Sequence, residues 1–169
     1  MKKRSNFYQN MKQIRLGGNR YKNKPVRAYA LIDDEDFLRI SQFAWHLSTS
    51  GYAVRNQYPK RGHVRMTWEI MGKKGLFDHK DRNRLNNQKG NLRLADKSKN
   101  AMNVSLRSTN TSGFKGVHFD KITKRWRVEI RHTNRRIRLG RFSDIREAAL
   151  AYNKTAQELF GEFAYLNSI

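Results

Sequence analysis

The clearest pattern of apolar and polar positions lies in the last third of the chain, where apolar residues alternate strictly with charged ones. The alternation runs over residues 125–131 and repeats over 136–139. Because successive side chains of a strand point to opposite faces, this period predicts two strands with one apolar and one charged face. The stretch 114–119 predicts a third strand. The charged positions of the two alternating strands are Arg125, Arg127, Glu129, Arg131, Arg136 and Arg138.

A helix is expected to cover the apolar face of this sheet. Asp144 and Glu147 have the spacing of a capping box at a helix N-terminus, with Asp in place of the usual Ser or Thr. We therefore predict an α+β fold in which a three-stranded antiparallel sheet packs on one helix. The apolar positions at helical spacing, with small alanines that allow close packing, are Ile145, Ala148, Ala149, Tyr152, Ala156 and Leu159.

Shorter signals for strands and helices occupy the first half of the chain. Strands are predicted at residues 13–16, 26–32 and 51–56 from short apolar or alternating runs. The acidic run 33–36 predicts the start of a helix that extends to Phe43, since carboxylates stabilise helix N-termini.

Further along, Trp45 and Tyr52 are expected to pack in a small core. The apolar stretch 64–71 predicts either a strand or a short helix that ends at Gly72. The small and polar residues of 107–113 make this segment the best candidate for a linker between domains.

Composition narrows the class of partner and the kind of metal site. The 169 residues include 36 Lys and Arg against 14 Asp and Glu, and the net charge of +22 predicts a polyanionic partner. The chain has no cysteine, which excludes disulfides and zinc–thiolate sites, so any metal must bind oxygen or imidazole ligands. A ribosome- or RNA-associated basic protein is an alternative with the same composition.

The sequence carries no sign of a membrane protein. No apolar run approaches the length of a membrane span, and no apolar segment follows the basic residues Lys2, Lys3 and Arg4, so they do not form a secretory signal. We therefore expect a cytoplasmic location in a bacterial or phage-infected cell and no membrane partner. Double-stranded DNA bound by a monomer is the expected partner, and no small-molecule cofactor is expected.

Candidate chemistry is concentrated at Asp78 and His79, which place a carboxylate directly beside an imidazole. A carboxylate is a ligand for hard divalent ions, and neutral imidazole is a competent base near pH 7. Phosphodiester hydrolysis needs an activated water, a neutralised phosphate and a stabilised leaving oxygen, and one divalent ion can supply the last two. An isolated Asp-His pair is otherwise typical of a turn with a surface histidine.

The wider pattern resembles the HNH endonucleases of the ββα-metal class, in particular their intron- and phage-encoded homing branch. The resemblance implies that His79 is the general base and that Asn91 orients it. It also implies that Asp78 and Asn100 hold one Mg²⁺ or Mn²⁺ ion. The residues that carry the resemblance are those of 77–83 together with Leu85, Asn86, Asn87, Asn91, Leu92, Arg93 and Asn100.

Two features depart from that family pattern. Relatives usually have His-Arg before an apolar pair and a glycine, where this chain has Thr67 and Trp68, and the segment 72–78 is shorter than in relatives. These departures leave open a catalytically impaired or non-catalytic DNA-binding protein derived from such a nuclease. Asn86 and Asn87 are interpreted as turn formers.

The last third resembles the plant ethylene-response-factor (Apetala-type) DNA-binding domain through 113–117, 126–131, 138–142, 148–153 and 161–167. The resemblance implies a three-stranded sheet laid in the major groove and backed by a helix. Arg138 stands where plant members often have tryptophan, so their base preference does not transfer. The implied DNA contacts are Lys115, His118, Glu129, Arg131, Arg136 and Arg138, to which the arginine-covered face adds Arg125, Arg127 and Arg141.

Together these patterns predict a site-specific DNA endonuclease of the homing type. The basic tail and the arginine sheet are expected to grip phosphates. The predicted segments are a flexible basic tail over 1–10, an N-terminal β-rich region over 11–62, a ββα-metal HNH nuclease core over 63–106, a linker over 107–113 and a DNA-binding domain over 114–167.

Overall fold

The chain forms two compact units in a computed structural model, which describes residues 11–17, 26–59, 61–133 and 135–169. The first unit is Met1–Asp96 and the second is Lys97–Ile169. The flexible basic tail predicted over 1–10 lies outside the described residues.

The first unit consists of short strands and two short helices. Its elements are β1 (Met11–Gly17), β2 (Val26–Asp33), α1 (Asp34–Ile40), β3 (His46–Leu47), β4 (Ala53–Asn56), β5 (His63–Arg65), α2 (Met66–Met71), β6 (Phe77–His79) and β7 (Leu92–Leu94). The strands predicted at 13–16, 26–32 and 51–56 are confirmed as β1, β2 and β4. The apolar stretch 64–71 divides between β5 and α2.

A hairpin of β1 and β2 supplies much of the core of this unit. The strands are antiparallel, with Ile14 opposite Ala30 and Leu16 opposite Ala28. The buried residues alternate along both strands, as expected where one face of a sheet packs inward. The core extends to residues at the far end of the unit, and Leu92 belongs to the same cluster as Ile14.

The domain boundary that we predicted between residues 62 and 63 is therefore wrong. Strand β4 pairs with β5 across it, with Val54 opposite Arg65. Trp45 is 2% exposed in the shared core, and its indole N–H donates to the Ile40 carbonyl at 2.8 Å. The N-terminal β-rich region and β6–β7 fold around one core, because neither part has enough apolar residues to form a core alone.

Strands β6 and β7 form a two-stranded antiparallel sheet. The segment between them is bonded to β2, since the Leu31 N–H donates to the Leu85 carbonyl at 2.7 Å and the Asn87 N–H donates to the Leu31 carbonyl at 2.8 Å. The next helix in the chain, α3 (Lys97–Met102), falls in the second unit. Along residues 63–106 the order of strands and α-helices is therefore β5, α2, β6, β7 and α3, and the ββα-metal nuclease core stays a prediction.

The second unit confirms the predicted sheet-and-helix arrangement. Strands β8 (Val117–Asp120), β9 (Arg125–His132) and β10 (Arg135–Phe142) form an antiparallel sheet with β9 in the centre. Helix α4 (Ile145–Phe160) packs on its apolar face through Ala148, Ala149, Tyr152 and Ala156. Asp144 caps the helix, accepting from the N–H groups of Arg146 at 2.7 Å and Glu147 at 2.9 Å.

The linker predicted over 107–113 belongs to the second unit instead of separating domains. Ser112 Oγ donates to the carbonyl of Val117 at 2.7 Å, and Asn110 Nδ2 donates to the carbonyl of Phe114 at 3.0 Å. These small polar residues form side-chain-to-backbone bonds that shape the entry into β8, which is the other common role of such residues. Of the helices in the described part of the chain, none has the length and apolarity needed to cross a membrane.

We predict that Gly116→Ala destabilises the second unit by about 3 kcal/mol, because overpacking adds to backbone strain. A Cβ atom at Gly116 would lie 2.3 Å from Tyr152 Cδ2 and 2.6 Å from the Glu129 carbonyl oxygen, at a φ of +76°. The measurement is urea unfolding followed by amide resonances of the second unit. Gly113→Ala is the matched control, since Gly113 has a φ of +77° and no atom within 4 Å of an added Cβ. Equal losses in the two variants would contradict the packing argument.

Candidate functional site

The two predicted chemical residues of the first unit lie on β6 and are buried. Asp78 is 5% exposed and His79 is 4% exposed. Their partners across the sheet are Arg93 and Leu92 on β7. Because neighbours on a strand point to opposite faces, the carboxylate and the imidazole meet different surroundings.

Asp78 forms a buried ion pair with Arg93. Both Nε and Nη2 of Arg93 donate to Asp78 Oδ2, at 2.8 Å and 2.5 Å, and less than a tenth of either side chain is exposed. A buried carboxylate is costly unless a cation and hydrogen bonds compensate it, and Arg93 provides both. The sequence alone does not predict this role for Arg93, which stands directly after Leu92 in the family pattern.

His79 is held by Asn87 and not by Asn91. Its Nε2 lies 3.3 Å from Oδ1 of Asn87, which is 1% exposed. Asn91 instead donates to Asp81 Oδ1 at 2.9 Å and to the Asn86 carbonyl at 2.8 Å. The prediction that Asn91 orients His79 is therefore corrected, because its amide bonds the loop between the strands. Asn87, which we interpreted as a turn former, takes that position.

Burial sets the charge state of His79. Desolvation lowers the pKa of its imidazole below the ordinary value, and the hydrogen bond that the ring donates to Asn87 opposes this effect only in part. The imidazole is therefore neutral at neutral pH and able to accept a proton. A neutral ring whose Nε2–H donates to the Asn87 amide oxygen has its lone pair on Nδ1.

Asn100, the second predicted metal ligand, lies on α3 in the second unit and is half-buried. Its role as a ligand stays a prediction. Within the part of the chain that the structure describes, no three His, Asp or Glu side chains lie close enough together to hold one metal ion. Any site at Asp78 therefore depends on amide, phosphate or water oxygens in addition to one carboxylate, a set that Mg²⁺ accepts.

Thr67 and Trp68, at the positions where HNH relatives usually have His-Arg, have structural roles. Thr67 is 4% exposed, and the indole N–H of Trp68 donates to the Gly75 carbonyl at 2.7 Å. The Trp68 bond ties α2 to the segment that leads into β6. This pair therefore contributes packing where relatives carry charge.

The charged face of the sheet in the second unit is as the alternation predicts, with one irregularity. A bulge shifts the register between Arg138 and Gly140, so that Arg138 pairs with Glu129 and Arg141 pairs with Arg127. Without the extra residue, Arg141 would point to the helix side. The predicted residues that the pairing places on this charged face are His118, Arg125, Arg127, Glu129, Arg131, Arg136, Arg138 and Arg141.

Glu129 lies among the arginines of this face. Its carboxylate is 3.2 Å from Arg127 Nε, 3.4 Å from Arg136 Nη1 and 3.9 Å from Arg138 Nε, and its side chain is 9% exposed. The side chains of Arg136 and Arg138 are 67% and 79% exposed. One carboxylate thus reduces the repulsion among three guanidinium groups, two of which remain open to a ligand.

Lys115, a predicted DNA contact, is used inside the second unit. Its Nζ donates to the carbonyls of Met102 at 2.8 Å and Val104 at 2.7 Å, and lies 4.9 Å from the Tyr165 ring centroid. These bonds fasten the chain after α3 to the start of the sheet domain. The Lys115 ammonium is thus directed to backbone carbonyls, and its role as a DNA contact stays a prediction.

Comparison with known proteins bears on both units. The model of the AP2 domain family matches residues 112–162. The chain is 31% identical over 146 residues to uncharacterized HNH endonuclease L560 of Acanthamoeba polyphaga mimivirus, covering 83% of this chain and 75% of that protein. It is 34% identical over 108 residues to protein 3.8 of Escherichia phage T7, covering 62% of this chain and 88% of that protein.

A third relative matches the second unit alone. The chain is 46% identical over 56 residues to dehydration-responsive element-binding protein 2D of Arabidopsis thaliana, covering 32% of this chain and 27% of that protein. No solved structure matches the chain. On the strength of the long match to the mimivirus protein and the domain match, the chain belongs to the HNH endonuclease family and carries an AP2 domain.

We predict that Glu129→Gln destabilises the second unit by about 1–3 kcal/mol, because the arginines around it lose their counter-charge. The loss should be larger at about 0.05 M than at about 0.5 M NaCl, because salt screens the repulsion among the arginines. Unfolding in urea, followed by amide resonances of the second unit, measures it. Glu158→Gln on the exposed side of α4 removes the same charge and should have little effect. A loss independent of salt would contradict the repulsion argument.

Proposed function

We propose that this protein is a site-specific DNA endonuclease of the homing type that hydrolyses phosphodiester bonds with one divalent metal ion. The observation that carries the proposal is the buried His79, held by Asn87 and adjacent to the Asp78–Arg93 ion pair. Burying an ion pair and an imidazole together is costly for a small unit, and structural need alone does not explain it. The pairing of HNH residues with an AP2 domain supports the homing branch.

His79 is proposed as the general base. Its lowered pKa keeps the ring neutral, and the bond from Nε2 to Asn87 leaves the lone pair on Nδ1. That nitrogen takes a proton from the attacking water as the water adds to phosphorus. Asn87 acts through the ring, because it selects the tautomer and prevents rotation.

Asp78 is proposed to hold the metal, which is Mg²⁺ or Mn²⁺, with Asn100 as its predicted second ligand. The fit is chemical: a carboxylate oxygen with neutral oxygens around it suits a hard ion that retains water. When bound, such an ion neutralises the phosphate and stabilises the leaving 3′ oxygen. Arg93 orients the Asp78 carboxylate, since its Nε and Nη2 both donate to Oδ2.

The second unit is proposed to bind double-stranded DNA through its arginine face. Exposed guanidinium groups on neighbouring strands suit phosphates and the guanine edge in the major groove. Two other functions are alternatives to this proposal. One is a DNA-binding protein without cleavage activity, which the uncharged Thr67 and Trp68 favour, and the other is an RNA-binding protein. We propose that one copy of the chain acts on DNA.

The test of the proposed function is nicking of supercoiled plasmid by the full-length protein with Mg²⁺ or Mn²⁺. We predict that His79→Ala lowers the nicking rate roughly 10³-fold, the scale of a lost general base. Asn87→Ala should lower it roughly 10²-fold, because the ring loses the group that orients it. Chelation of the metal should stop nicking in every variant.

Asn91→Ala is the matched comparison, since Asn91 bonds the loop beside His79 without touching the ring. It should reduce nicking less than Asn87→Ala at equal thermal stability. Absence of metal-dependent nicking, or equal nicking by wild type and His79→Ala, would leave a DNA-binding protein without this activity.

For the arginine face, we predict that Arg138→Ala weakens duplex binding by about 1–3 kcal/mol and reduces the salt slope by about 1. Arg146→Ala on α4 removes an equal charge from an exposed helix position and should change binding less. Fluorescence anisotropy with a labelled duplex across a salt series measures both. Structured RNA serves as competitor, and tighter binding to RNA than to the duplex would reject DNA as the partner.

A further inference from the structure

An aromatic ring and two arginines lie next to His79 in the first unit. The Tyr52 ring centroid is 6.1 Å from that of His79. The guanidinium carbons of Arg65 and Arg84 are 4.8 Å and 5.1 Å from the Tyr52 ring centroid. Tyr52 lies in the turn before β4, Arg65 at the end of β5 and Arg84 in the β6–β7 loop. Three separate parts of the chain thus place one ring and two positive charges beside the buried imidazole.

These two arginines differ from others in the same unit. Arg39, Arg55 and Arg93 each pair with a carboxylate. Among the described residues, neither Arg65 nor Arg84 lies within salt-bridge distance of a carboxylate. Two guanidinium groups on one ring repel each other, and the ring quadrupole compensates this repulsion only weakly.

The guanidinium groups of Arg65 and Arg84 are positioned by contacts within the unit and still have N–H donors available for a ligand. Arg84 Nη1 donates to the Ser50 carbonyl at 2.8 Å, and the Tyr52 N–H donates to Ser48 Oγ at 3.0 Å. Guanidinium carries five N–H donors, and Arg84 uses one of its nitrogens in this bond. Arg65 is half-buried, and its guanidinium lies 4.8 Å from the Tyr52 ring centroid and 6.0 Å from the Trp68 ring. Stacked guanidinium groups with open donors are suited to bidentate binding of phosphate oxygens.

We propose that Arg65 and Arg84, stacked on Tyr52, form a clamp that binds a phosphodiester of the nucleic acid strand beside His79. This inference rests on the proposed function and adds the residues that hold the substrate phosphate in the first unit. The phosphate oxygens accept hydrogen bonds from both guanidinium groups, and its negative charge removes their mutual repulsion. Arg65 and Arg84 are positioning residues here, and the proton transfer stays with His79.

The first experiment uses single-turnover nicking of supercoiled plasmid by the full-length protein with Mg²⁺. Arg65→Gln and Arg84→Gln should each raise the half-saturating concentration about tenfold, the effect of one lost charge-assisted bond. The rate at saturation should change less. Arg27→Gln on β2 removes the same charge at an exposed position and should match wild type. Arg65→Lys, which keeps the charge, should recover part of the loss.

A second experiment does not depend on cleavage. The dinucleotide dTpdT is titrated into metal-free full-length protein while the ring resonances of His79 are followed by NMR. Wild type and Arg27→Gln should show saturable shifts, and Arg65→Gln and Arg84→Gln should bind about tenfold more weakly. Unchanged His79 and Tyr52 resonances in the free variants show that the fold is retained.

The outcomes separate the two proposals. Nicking by the Gln variants at wild-type concentrations, or no His79 shift with dTpdT in wild type, overturns the clamp and leaves the nuclease proposal standing. A saturable shift that needs both arginines, in a protein that does not nick, supports the clamp and rejects the nuclease. If the Gln variants lose rate at saturation without a change in half-saturation, the arginines act only on the fold of the site and the clamp is rejected.

Discussion

The attachment of the β6–β7 loop to β2 is the constraint on which the candidate site depends. Backbone bonds join Leu31 to Leu85 and Asn87, and the Asp33 carboxylate accepts from Gln88 Nε2 at 3.0 Å and the Lys89 N–H at 2.8 Å. Asn87 lies between these points and reaches His79 because the backbone on both sides is fixed. A buried strand of the hairpin core thus determines where the amide of a distant loop lies.

This dependence explains why the site could be predicted only in part. Local pattern identified Asp78 and His79, since a carboxylate beside an imidazole is visible in the sequence. It did not separate Asn87 from Asn91, because both amides lie in one loop and only the pairing with β2 decides which faces the ring. Pairing between segments also explains why the predicted boundary between residues 62 and 63 is wrong. Strand β4 pairs with β5 across it, and no local pattern in the sequence indicates this pairing.

The second unit was predicted more completely because its information is local. Alternation over β9 and β10 and helical spacing over α4 each specify an apolar face, and the two faces have only one way to be buried together. The bulge after Arg138 was not predicted, although Arg141 follows the apolar Leu139 by two positions and so breaks the alternation. The internal use of Lys115 was missed for a different reason, because carbonyl acceptors leave no pattern in the side chains.

The uses of the acidic residues connect the net charge of +22 to the proposed function. Asp36, Glu69 and Asp78 each pair with an arginine of the first unit, and Asp120 and Glu129 pair with arginines of the second. These five carboxylates therefore stabilise particular contacts inside each unit. The arginine face and the ring of Tyr52 with Arg65 and Arg84 are two places where positive side chains lie close together. A folded chain keeps such concentrations at a cost to its own stability, and a polyanion bound at both places would offset that cost.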